Sequence, residues 1–118
     1  MTSTLNITFE NPAYRTAGMK AGIKGREKLG VPCCAVDGVE HQCDWHGPTQ
    51  VEIAPGQHMI ETYFRPKTLP VKRGKCKAEV AVAADEAVTV RAKFDQMVST
   101  LVVAGPGRAD ERHRRVYF

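Results

Sequence analysis

The sequence predicts an all-β fold, a sandwich of seven or eight short antiparallel strands. Two observations carry that prediction. Apolar and polar residues alternate with a period of two in four separate windows, and short turn signals built on glycine, proline and aspartate separate the windows. A strand points successive side chains to opposite faces, so period-two alternation marks a strand with one buried face. None of these windows offers the long run of apolar residues three and four apart that a helix requires.

The elements follow in chain order. Residues 3–9 read as a strand, with Leu5, Ile7 and Phe9 on one face and Asn6 and Thr8 on the other. Residues 11–30 follow as a long basic loop, carrying Arg15, Lys20, Lys24, Arg26 and Lys28 against Glu27 alone. A hairpin is expected over 33–45, because Val36-Asp37-Gly38-Val39 places Asp-Gly between apolar residues, and a type I′ turn needs positive φ at both central positions. The next strand, 49–54, sets Val51 and Ile53 against Gln50 and Glu52, and Pro55-Gly56 turns the chain into a strand over 57–65. After a connection with a proline at each end, Cys76, Ala78, Val80 and Val82 oppose Lys77 and Glu79 in a strand over 76–83. In 86–94, Val88, Val90, Ala92 and Phe94 oppose Thr89, Arg91 and Lys93, and a last strand is expected over 97–104. The tail 105–118 opens on a hinge-like Gly-Pro-Gly and reads as a C-terminal basic arm. The chain is thus expected to be one sandwich domain over 1–104 followed by that arm.

The totals set bounds. A chain of 118 residues suffices for one domain with a core of its own, without disulfide or metal staples. The net charge of +4 permits an acidic partner without requiring one. The N-terminus lacks the basic and apolar regions of a signal peptide, and no apolar run is long enough to span a membrane. The expected location is the cytoplasm of a host cell or a virus particle, and the four cysteines are expected to stay reduced.

From Val36-Asp37-Gly38 through Pro55-Gly56-Gln57-His58 to the acidic turn after Ala83, the order of motifs resembles small bacterial immunoglobulin-like or PEGA-like sandwich modules over about residues 33–94. The matching positions are Asp37, Gly38, Pro55, Gly56 and His58. The resemblance implies an immunoglobulin-like sandwich and a non-catalytic role in binding, spacing or decoration.

The stretch from Pro32 to His46 concentrates the side chains with the most chemistry. Cys33, Cys34, His41, Cys43 and His46 are the residue types that ligate zinc, and His41 and Cys43 share one face of a strand. The spacing matches no standard zinc module, however, and free cysteine packs as a small hydrophobe, so core packing is the preferred reading and no cofactor is expected. A Cys33–Cys34 disulfide would demand strain. Cys34, His41 and Asp44 are also the types of a catalytic triad, but closeness in sequence does not assemble one, and no phosphate-binding loop is present. No enzymatic activity is expected.

Trp45, the single tryptophan, reads either as a core plug or as an interface anchor. Arg65, Lys67, Lys72, Arg73 and Lys75 form a basic run, and Arg112, Arg114, Arg115, Tyr117 and Phe118 give the tail cationic and aromatic contacts. Few aromatics interleave with these cations, which argues against sequence-specific nucleic-acid binding. The expected function is a non-enzymatic structural protein acting by protein–protein contact in a homo- or hetero-oligomeric assembly, such as a decoration or tail component of a phage. The alternative is a cytosolic binding module of bacterial type, zinc-stabilised through the Cys/His hairpin or not, that recognises a small ligand or an acidic partner.

Overall fold

The computed structural model describes residues 2–10, 30–66, 71–94 and 98–116. The expected basic loop, apart from Gly30, lies outside the described residues, as do Lys67, Tyr117 and Phe118. The described chain is all-β and contains no helix. Its strands are β1 (Ser3–Phe9), β2 (Val31–Val36), β3 (Val39–Gln42), β4 (Thr49–Ile53), β5 (Gly56–Arg65), β6 (Arg73–Val82), β7 (Ala87–Phe94), β8 (Val98–Gly105) and β9 (Arg108–Val116). They form two sheets, a five-stranded one in the order β4-β1-β7-β8-β9 and a four-stranded one in the order β3-β2-β5-β6. β1 runs parallel to β7, and every other pairing is antiparallel.

The alternation read from the sequence is the alternation that is buried. Leu5, Ile7 and Phe9 of β1 and Val88, Val90, Ala92 and Phe94 of β7 line the inner face of the five-stranded sheet. Cys34, Val36, Ile60, Cys76, Ala78, Val80 and Val82 meet them from the four-stranded sheet in one continuous core. Burying two opposed apolar faces is what drives such sheets together, an arrangement consistent with a β-sandwich. The Asp37-Gly38 turn has positive φ at both residues, 51° and 85°, as the hairpin signal required.

One end of the core is aromatic. Phe9 stacks on Phe94 at 5.7 Å between ring centroids, while Trp45 and Phe64 meet Phe94 edge-on at 6.0 and 5.2 Å. Edge-to-face pairing sets the positive rim of one ring on the negative face of another. The indole N–H of Trp45 is satisfied by the carbonyl of Gly30 at 2.9 Å. Trp45 is therefore a core residue, 7% exposed, and the interface role considered for it is corrected.

The C-terminal segment also differs from expectation. Residues 108–116 do not stand off as an arm but pair with β8 as the edge strand β9. Pro106-Gly107 forms the turn, with Gly107 at φ 76° and Gly105 paired with Arg108, so the apparent hinge is a two-residue hairpin. Arg108 fastens the start of β9. Its guanidinium donates to both carboxylate oxygens of Glu86 at 3.0 and 2.8 Å and to the carbonyl of Ala81 at 2.6 Å. β9 carries charge on both faces, a composition that keeps an exposed edge from pairing indiscriminately.

Candidate functional site: a cationic groove

The Cys/His stretch does not assemble into a site. Cys33 and Cys34 are consecutive on β2 and so point to opposite faces of the four-stranded sheet. Cys34 enters the common core, where its row across the sheet is His41, Cys34, Thr62 and Cys76. Cys33 packs with Ala35 and Tyr63 on the other face. Cys43 is half-buried against the core, and the Asp44 carboxylate accepts a hydrogen bond from the His46 backbone N–H at 2.9 Å. Among the described residues, no three His, Cys, Asp or Glu side chains gather as a metal set. Cys33 lies on the opposite face from Cys34, His41 and Cys43, so the residues Cys33, Cys34, His41, Cys43 and His46 cannot all face one site. Burial pushes the Cys33 thiol up to about 11 and raises those of Cys34, Cys43 and Cys76 too, so none is primed as a nucleophile.

The basic run on β5 and β6 is largely neutralised. Arg65 pairs with Glu40 at 2.6 Å, and the same carboxylate accepts a hydrogen bond from the Tyr63 hydroxyl. Lys72 pairs with Glu61 at 3.3 Å while its ammonium sits 4.7 Å above the centre of the Tyr63 ring. Lys77 reaches the other oxygen of Glu61 at 3.6 Å. These contacts cover the outer face of the four-stranded sheet and hold Tyr63 fully buried. Arg73 is exposed at the start of β6, and Lys75 is half-buried two residues on.

Cations gather instead on the outer face of the five-stranded sheet. The pairing of β7, β8 and β9 sets Arg91, Val102 and Arg112 in one row and Lys93, Thr100 and Arg114 in the next. Val98, Thr100 and Val102 form the floor, and the longer cationic side chains form two walls around a groove of about 410 Å³. Those walls shield the floor, leaving Val102 only 8% exposed although it faces away from the core. Glu10, which lines the groove beside β7, and Asp110 on β9 lie 3.9 and 3.7 Å from the guanidinium of Arg91. Lys93, Arg112 and Arg114 form no ion pair among the described residues. The groove thus sets four cations and one carboxylate, Glu10, around a floor of Val98, Thr100 and Val102, a net positive charge that suits a negatively charged ligand.

Sequence reasoning marked Arg112 and Arg114 but placed them on an arm, and it did not single out Arg91 and Lys93. Alternation had already put Arg91 and Lys93 on the polar face of their strand. What the sequence lacked was the pairing that inserts β8 between them and β9. No family model matches this chain, and it has no significant match among curated proteins or solved structures.

Proposed function

We propose that this chain is a non-enzymatic interaction protein on an immunoglobulin-like sandwich, acting by protein–protein contact in a larger assembly through the outer face of its five-stranded sheet. The observation that supports this reading is the groove over β8, where Lys93, Arg112 and Arg114 carry charge that no carboxylate of the described chain neutralises. Uncompensated charge concentrated on one face raises the local concentration of an acidic partner and orients its approach. The burial of Cys34, the candidate nucleophile, in the core agrees with a binding role.

The phage-particle form of this function was expected to work through arms. With residues 108–116 in the sheet, the cationic face takes over that role as the contact surface. Native mass spectrometry of the tagged protein isolated from its own cell tests the reading. Wild type is expected in a complex that Arg112→Glu/Arg114→Glu disrupts. A bare monomer for wild type, or an unaltered complex for the variant, would refute it.

A further inference from the structure

We propose that the groove binds an extended acidic segment of a partner protein, laid along β8 with a carboxylate at every second residue. This rests on the reading of that face as the contact surface and adds what the contact recognises. The two cationic rows are two residues apart along each strand, a step of about 6.8 Å, and the walls on β7 and β9 stand about 10 Å apart across β8. An extended peptide has the same period, so side chains at i and i+2 fall about 6.8 Å apart on one side. A carboxylate at each such position meets one pair of cations, Arg91 with Arg112 or Lys93 with Arg114. Each arginine can present two parallel N–H donors to a carboxylate. Between the rows, Val98 and Val102 offer apolar floor to the peptide's aliphatic atoms.

The alternative polyanion is a nucleic acid, and one observation disfavours it. No aromatic side chain lines the groove, so bases would have no stacking platform.

The test uses fluorescence anisotropy at low salt with two labelled eight-residue peptides of equal composition, each with two glutamates among serines, one with them at i and i+2, the other with them adjacent so that an extended chain points them to opposite sides. The i, i+2 peptide is expected to bind about tenfold more tightly, the difference that one or two extra well-placed ion pairs supply. Its affinity should fall with added salt, be lost in Arg112→Glu/Arg114→Glu, and be unchanged in Arg73→Glu on the opposite sheet. Arg112→Gln/Arg114→Gln, expected to weaken binding without reversing charge, substitutes for the double glutamate variant if that one fails to fold. Equal binding of the two peptides would overturn the spacing while leaving the face as a contact surface. Undiminished binding by the groove variants would overturn the site. Tighter binding of a single-stranded oligonucleotide than of either peptide would overturn the acidic-segment proposal. The proposed function fails separately, on whether the isolated complex survives the groove variant.

Discussion

The aromatic end of the core makes a quantitative claim about Gly74. This residue sits near the start of β6 at φ 67°, and a Cβ placed on it would lie 2.8 Å from one edge carbon of Phe94 and 3.2 Å from Phe64. Gly74→Ala therefore incurs two costs. Holding alanine in the left-handed region costs about 1–2 kcal/mol. Forcing the Phe94 ring out of its contacts with Phe9, Trp45 and Phe64 adds about 1–3 kcal/mol, the usual range for overpacking. Phe94→Leu removes the ring edge that blocks the space and on its own costs about 1–2 kcal/mol through lost packing. In the Phe94→Leu background, Gly74→Ala should cost only its backbone part. The double variant is then more stable than additivity predicts by about 1–3 kcal/mol, the overpacking part. Urea midpoints for the four proteins measure that coupling. Agreement with additivity within about 0.5 kcal/mol would refute the claim that Phe94 closes over Gly74.

Other predictions follow from buried polar groups and charge pairs. The Thr62 hydroxyl is buried between Cys34 and Cys76 without a hydrogen-bond partner among the described residues, so Thr62→Val should raise stability by about 1 kcal/mol in the same urea assay. Arg108→Ala removes the bidentate pair to Glu86 and should cost about 1–3 kcal/mol, with hydrogen exchange quickening in β9 before the rest of the sheet. His58 donates from one ring nitrogen to Asp37 at 2.6 Å and from the other to the Ala54 carbonyl at 2.5 Å, an arrangement complete only in the protonated ring. The bond to Asp37, then that to Ala54, raises the His58 pKa above 6.5, so its contribution is full below 6.5 and is lost as pH rises through the raised value. Hydrogen bonds from the Met59 N–H and from His58 lower the Asp37 pKa below 3.8, so its contribution is present above 3.8 and is lost as pH falls through the lowered value. The pair therefore favours the folded state most between these limits, and Asp37→Asn should flatten the urea midpoint on both sides of that window. Iodoacetamide at neutral pH should leave Cys33, Cys34 and Cys76 unmodified in the folded protein, with Cys43 reacting first, as mass spectrometry of the digested protein will show.

Most of the framework was legible because local alternation and turn chemistry agree with the tertiary burial. β1, β6 and β7 bury the residues that their sequences alternate, and Asp37-Gly38 adopts the turn that its chemistry favours. β9 escaped because its residues are charged on both faces, which erases the hydrophobic period, although Pro106-Gly107 carried the same turn signature as Pro55-Gly56. The site was half legible for a related reason. The polar face of β7 can be read from its own sequence, but its juxtaposition with Arg112 and Arg114 arises from long-range pairing. The cysteines were read by preference as core residues, and Cys34 and Cys76 lie in the common core while Cys33 packs on the opposite face with Ala35 and Tyr63.

The central claim is that the outer face of the five-stranded sheet is the surface this protein uses. Site-specific photo-crosslinking in the native cell tests it most directly, with p-benzoylphenylalanine placed at Thr100 in the groove floor and, separately, at Glu79 on the outer face of the four-stranded sheet. The account predicts one discrete crosslinked partner from Thr100→p-benzoylphenylalanine, lost when Arg112→Glu/Arg114→Glu is added, and none from the Glu79 position. Crosslinks from Glu79 with none from Thr100 would contradict it.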